Sequence, residues 1–387
     1  METARFLPNW PWLRTLAHAR RSPQWPELKL LLRQRLLSTF KLGNRSFGMT
    51  ANNKSNPQPP AIFQLATGYW LSQAIYVAAK LGIADLLKDA PKSCAELAAT
   101  TSVDERSLFR LMRALSSADI FVALSDGRFA LSSIGRELRS DVPGSQRAIA
   151  ITLGELHYQA WGELLHSVQT GTPAFDKAFH AGLFEYLQGN PEAATAFHEG
   201  MTDVSSMVAY AVLMAYDFSG ISSMVDVGGG EGAFLRKILE LHPEIEGTVF
   251  DLEPALKKAH QLNEKMSTGR CSAVAGNFFE SVPEGADAYI MSDVIHDWND
   301  EQCVTILQNC RKAMSKKGRV LVVETVVPEG DAQCFSKLLD VNMLVMTCGK
   351  ERTRPEFNAL FDAAGYKLTR IVRTVAPQSV IEGVPKT

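Results

Sequence analysis

A chain of 387 residues is long enough for two hydrophobic cores, so two domains are the starting expectation. Charged residues make up 21% of it and the formal net charge is −2, so no global electrostatic reason exists to expect a nucleic acid or a membrane surface as partner. The six cysteines form no C-x-x-C pair and none has a histidine at zinc-knuckle spacing, which fits reduced thiols in a cytoplasmic setting; no apolar run reaches the roughly 18 to 20 residues of a bilayer span.

Residues 1–59 read as a separate object. Up to residue 48 nine Lys or Arg stand against only Glu2 and Glu27. The stretch beginning at Pro26, P-E-L-K-L-L-L-R-Q-R-L-L, is basic and amphipathic, which leaves three readings open: a transit peptide, a helix lying on a membrane surface, or an unstructured extension. Organelle targeting and membrane contact through this tail therefore stay open. Met49 is followed by the polar run T-A-N-N-K-S-N-P-Q-P-P, a linker by composition, and a chain begun at Met49 would lose no motif.

A first folded domain is expected over residues 60–205. Its opening segment, from Ile62 to Leu87, is apolar nearly all round, which predicts a helix buried on more than one side. Two short helices follow, then a hairpin turning at Asp126-Gly127, the outline of a winged helix-turn-helix. Arg106, Arg110 and Arg113 fall on one face of the second helix, as in a DNA-reading helix, yet residues 61–150 hold ten basic against nine acidic residues. That balance favours packing or dimerisation over nucleic-acid binding.

From residue 206 to 387 the pattern changes to strand, turn and helix in alternation. Strands are expected from Met224, Gly247, Ala273, Ala288 and Arg319, in a parallel sheet covered on both faces. The segments Tyr366 to Arg373 and Ser379 to Gly383 should close it as an antiparallel pair. After the first strand comes Gly228-G-G-E-G, and Gly228-x-Gly230-x-x-Ala233 satisfies the dinucleotide fingerprint, with Asp251 near the distance of a ribose-binding acid. The loop alone does not choose between NAD and S-adenosylmethionine. Asp226 inside the strand, the extra Gly232, the antiparallel ending and the lack of chain for a nicotinamide half favour the latter.

These motifs carry a resemblance. T-G-T-P-A-F-D, A-Y-D-F-S-G, V-D-V-G-G-G-E-G, I-H-D-W-N-D-E and G-K-E-R-T make the stretch from about Phe63 onward similar to the plant caffeate and hydroxyindole (acetylserotonin) type of small-molecule O-methyltransferase. The resemblance implies an α/β, Rossmann-like class I methyltransferase sheet with an N-terminal helical, winged-helix-like dimerisation domain, S-adenosyl-L-methionine as cofactor, a homodimer, and no metal. It makes His296 the general base for a small, aromatic or otherwise apolar, hydroxylated acceptor, flanked by Glu324 and Glu351. The chemistry agrees: a hydroxyl needs its proton removed, imidazole accepts one near neutral pH, and a carboxylate on the far ring nitrogen fixes the tautomer. A catalytically inactive regulatory protein of the same fold is the alternative.

For the cofactor, the resemblance points to Asp226, Gly228, Gly230, Asp251, Leu252, Asn277, Phe278 and Ser292. Asn277 replaces the Asp of the plant G-D-M-F segment, and Ser292 replaces a Lys. The segment Met346-T-C before G-K-E-R-T is shorter than the glycine-containing turn usual there. For the acceptor it points to His157, Trp161, Phe197, Met201, Asp293, Met343 and Met346, whose mostly apolar and aromatic character suits a flat or isoprenoid-like molecule.

Overall fold

The structure, a computed structural model, describes residues 59–386 apart from 143, 257–258 and 260–268. The basic tail therefore lies outside the described residues. Two compact units emerge: residues 59–159 with 187–203, and residues 160–186 with 204–386. This division differs from the expected split at 205/206, because residues 160–186 cluster with the second unit. Their helices Leu164–Thr170 and Ala174–Phe179 lie against the helix Phe335–Met346.

The second unit is built on an eight-stranded sheet. Its strands are β4 (Ser223–Val227), β5 (Glu246–Asp251), β6 (Cys271–Ala275), β7 (Ala288–Ser292), β8 (Arg319–Val327), β9 (Arg352–Thr353), β10 (Tyr366–Arg373) and β11 (Gln378–Pro385). The order is β10-β11-β8-β7-β4-β5-β6, with β9 pairing to β8. Strands β6, β5, β4, β7 and β8 run parallel, and β11 and β10 close the sheet antiparallel. The inner strands are mostly apolar because both faces are covered, with Asp226 and Glu324 as buried exceptions. Tyr289 and Met291 enter one core with Ile306, Leu307 and Phe361, while Ala288 and Ile290 enter the other with Phe234, Leu235 and Val212. That is the two-residue alternation of a strand.

The chain leaves β4 toward β5 and β6, then returns to place β7 on the other side of β4. In such sheets the crevice at the carboxyl ends of the two strands flanking the reversal is the ligand site. Gly228 follows β4, Leu252 follows β5, Asp293 follows β7, and Glu324 lies in β8, so the expected cofactor and base residues converge there by topology.

The first unit holds the three-stranded sheet β1 (Lys92–Ser93), β3 (Arg128–Leu131) and β2 (Phe121–Ala123), all antiparallel, with helices Cys94–Thr101 and Glu105–Ser117 before the β2–β3 hairpin. Leu108, Met112 and Leu115 of the second helix are buried, and Arg106, Arg110 and Arg113 are exposed. The opening helices correct the expectation of burial on several sides. Ile62, Phe63, Leu65, Tyr69 and Trp70 are all at least half exposed or nearly so in the single chain, and the helix Gly68–Lys80 buries only Ala78 and Ala79. Nothing among the described residues covers this face.

Candidate active site

The glycine loop sets the floor of the crevice. Gly228 and Gly230 have φ of 72° and 54°, a region that side-chain-bearing residues rarely adopt. A Cβ on Gly228 would come within 2.9 Å of Val294, whereas beside Gly230 nothing lies within 4 Å, which leaves room for a ligand at the backbone. Asp251, ending β5, accepts the Gly230 N–H at 2.8 Å and the Leu252 N–H at 2.7 Å, so it braces the loop. Leu252 is 48% exposed, an apolar side chain offered to a flat base.

Asp226 in β4 is buried, and its Oδ2 has no hydrogen-bond partner among the described residues. Burial first, then the neighbouring Asp251, push its carboxyl up to about 7. A buried acid with an unsatisfied oxygen calls for a hydrogen-bonding partner. Asn277 is occupied locally: its Oδ1 accepts the Phe279 N–H at 3.0 Å and its Nδ2 donates to Glu280. Phe278 meets Phe279 and Trp298 edge to face. Ser292 donates to Asp293 at 3.2 Å.

His296, the expected base, is carried on a single turn of 3-10 helix, Ile295–Asp297, between β7 and the helix Asp300–Ala313, which starts with a reciprocal cap between Asn299 and Gln302. Glu324 Oε1 accepts the backbone N–H groups of Val294 and Ile295 at 3.0 Å each and that of His296 at 3.4 Å. Glu351 Oε1 takes the hydrogen bond of His296 Nδ1 at 3.0 Å, and Glu324 Oε2 stands 3.2 Å from the same nitrogen without a hydrogen bond. Both carboxylates thus sit on one ring nitrogen. Glu351 fixes the tautomer, and Glu324 chiefly holds the turn. Nε2 has no hydrogen-bond partner among the described residues; its nearest acid is Asp297 at 3.9 Å.

Burial would depress the imidazole, but Glu324, Asp297 and Glu351 together outweigh it and hold its pKa well above the usual 6.5. Burial pushes Glu324 up as well, against the pull of His296 and with the push of Asp293 and Glu351. Asp297 is raised to about 6 by burial, with His296 opposing and Asp293 adding. Asp293, His296 and Glu324 each offer a ligand-type atom within 4.8 Å of the others, although one Glu324 oxygen is committed to the turn.

Of the expected acceptor residues, Asp293, Trp161, Met343 and Met346 belong to this unit. Asp293 has φ of 53° and its Oδ1 accepts from Gln378 at 3.0 Å, a strained conformation held by an amide from β11. Trp161 donates to Asn342 at 2.9 Å, and Met343 and Met346 are buried on that same helix. His157, Phe197 and Met201 fall in the first unit. His157 ends a π-helical turn, Leu153–His157, a widened geometry frequent at functional positions that periodicity does not announce.

Three further residues brace this region without any motif in the sequence to announce them. Asp340 accepts the Glu351 N–H at 2.9 Å, Gln378 holds Asp293, and Asp297 adds a third acid near the ring. The shortened segment before G-K-E-R-T still delivers Glu351, because Cys348 takes φ of 63°, the conformation a glycine would supply, and β9 pairs with the end of β8 beyond Glu324.

Two family models match the chain: an O-methyltransferase domain over residues 161–367 and an O-methyltransferase dimerisation domain over residues 63–140. A phenazine O-methyltransferase of Lysobacter antibioticus is 43% identical, across 87% of this chain and 100% of that protein. A phenazine-1-carboxylate N-methyltransferase of Pseudomonas aeruginosa is 33% identical, across 83% and 96%. Human N-acetylserotonin methyltransferase, solved in complex with S-adenosylmethionine, superposes with a TM-score of 0.80 at 27% identity, covering 87% of this chain and all of that one.

Proposed function

Since the chain belongs to the S-adenosylmethionine-dependent O-methyltransferase family, we propose that it methylates a hydroxyl of a small aromatic metabolite, with His296 as general base. The observation that carries this reading is the imidazole anchored by Glu351 through Nδ1 while Nε2 is left without a protein partner. An oriented base matters for a hydroxyl, whose proton must leave, and much less for a ring nitrogen that already offers a lone pair.

The bound donor supplies an electrophilic methyl carbon on a sulfonium. His296 Nε2 takes the acceptor proton as the oxygen bonds to that carbon, and the electrons of the broken S–C bond stay on sulfur. Glu351, at Nδ1, offsets the positive charge that the ring gains. Asp226, the Gly228–Gly230 loop, Asp251 and Leu252 hold the donor, with Asn277, Phe278 and Ser292 at its margin. Within the second unit, Trp161, Asp293, Met343 and Met346 contribute to acceptor binding. The protein acts as a homodimer, in which a second copy covers the apolar face at Ile62–Trp70.

Incubation with methyl-labelled donor and a panel of hydroxyphenazines, simple phenols and nitrogen heteroaromatics tests this. Hydroxyl-linked label that disappears in His296→Ala is expected. Label on nitrogen at a rate the substitution leaves alone would overturn the assignment.

A further inference from the structure

The turn that presents His296 is gripped from two sides by buried side chains, and the second of them is Arg352. Its guanidinium is 1% exposed. Nη1 donates to the Ile295 carbonyl at 3.0 Å and to that of Lys350 at 3.3 Å. Nη2 donates to the Trp298 carbonyl at 3.0 Å and to Asp300 at 2.8 Å, with Cys303 Sγ at 3.3 Å, and Nε donates to Asp300 at 3.0 Å. Every arm of the fork is thereby used. Its acceptors bracket the base: Ile295 immediately precedes His296, Trp298 lies two residues after it, and Asp300 opens the following helix.

Glu324 takes the N–H groups of the same turn, from Val294 to His296. So the amide side of the turn is bound by a buried carboxyl oxygen and the carbonyl side by a buried guanidinium. A 3-10 turn has only weak hydrogen bonds of its own to set its position. The neighbouring residue on Arg352's strand is Glu351, whose carboxylate meets His296 Nδ1. Gly349 completes the fit, since a Cβ there would overlap the His296 carbonyl. Gly349, Glu351 and Arg352 therefore act as one clamp, in which the backbone of the turn and the ring it carries are fixed by a single short segment.

We infer that Arg352 is a positioning residue for the reaction, setting the depth and direction of the His296 ring by binding the carbonyls on either side of it. The inference rests on His296 being the base. A lysine cannot replace it, because one ammonium does not span three acceptors in a plane.

The test compares Arg352→Lys, Asp300→Asn and His296→Ala in the full chain, with turnover of hydroxyphenazine, S-adenosylhomocysteine affinity and the pH–rate profile as readouts. Arg352→Lys should lower kcat by about tenfold or more, as misplacement at a reacting centre does. Affinity should change less than about twofold, and the acidic limb of the profile should move to lower pH as the Glu351 contact loosens. Asp300→Asn, at an exposed position, should move kcat and the limb the same way by a smaller factor, which keeps the test intact if Arg352→Lys does not fold. Unchanged kcat in a folded variant overturns the inference, as does a fall in kcat that tracks lost S-adenosylhomocysteine affinity with the limb in place. If His296→Ala retains turnover, the base assignment fails instead, so the two failures are distinguishable.

Discussion

Glu324 separates holding the turn from tuning the ring, and two substitutions should report on them differently. Glu324→Ala strips the acceptor from two buried N–H groups bonded at 3.0 Å and from a third at 3.4 Å. A hydrogen bond to a charged group is worth about 1.5 to 3 kcal/mol, so the two short bonds alone amount to roughly 3 to 6 kcal/mol. Removing the buried charge returns some of this, and breaking a buried pair typically costs about 3 to 5 kcal/mol in net. Against a total stability of about 5 to 15 kcal/mol that is a large share. At about 2 to 4 °C per kcal/mol for a unit of this size, the melting temperature should fall by roughly 6 to 20 °C. Glu324→Gln keeps an oxygen for the same N–H groups and exchanges charged for neutral bonds, a difference of about 1 kcal/mol each, so it should fold with a loss of roughly 2 kcal/mol. Thermal unfolding with and without S-adenosylhomocysteine measures both. A Glu324→Ala protein melting within about 2 °C of the parent would show that the turn does not depend on this carboxylate.

Other outcomes follow from the same geometry. His296→Ala should preserve S-adenosylhomocysteine affinity by calorimetry and lower turnover by about 10² to 10⁴-fold, the usual weight of a general base; near-normal turnover at neutral pH would make the histidine merely structural. Because the acids around it hold the imidazole's pKa well above 6.5, only its neutral form accepts a proton and kcat should climb through a limb lying above that value; Glu351→Gln, losing one of those charges, should slide the limb toward lower pH, and a stationary limb would contradict the arrangement. Asp226 is raised to about 7 from an ordinary 3.8, so the folded state prefers it protonated and loses stability as pH rises from about 4 through 7; Asp226→Asn should therefore raise the melting temperature at pH 8, leave it little changed at pH 4, and weaken S-adenosylhomocysteine binding. A protein started at Met49 should keep full turnover, and loss of activity would bring the tail into the enzyme.

Much of the second unit was legible because each local signal agreed with its neighbours. The apolar runs at Met224, Gly247, Ala288 and Arg319 are buried on both faces, as inner parallel strands must be, and the glycine loop sits at the reversal of strand order between β4 and β7. The opening helices are less legible. An apolar surface on all sides predicts burial on more than one side, but in the single chain Ile62, Leu65 and Trp70 stay open. Hydrophobicity reports that a surface will be covered, not by which molecule.

The base site shows where a motif stops being informative. I-H-D-W and G-K-E-R-T point to His296 and Glu351 as the proposed base and its partner, yet nothing in either string says that Glu324 spends one oxygen on three amides or that it shares a ring nitrogen with Glu351. The arrival of Glu351 at the ring follows from β9 lying parallel to the far end of β8, a pairing of only two residues that is too short to read from periodicity. The same pairing explains why a shortened approach to G-K-E-R-T is tolerated. Strand β9 fixes where Glu351 must arrive, and the segment from Met346 can reach it provided one residue accepts a positive φ. Cys348 does so, at the energetic cost a non-glycine incurs there. The position of the acid is thus dictated by the sheet, and the route to it is free to vary.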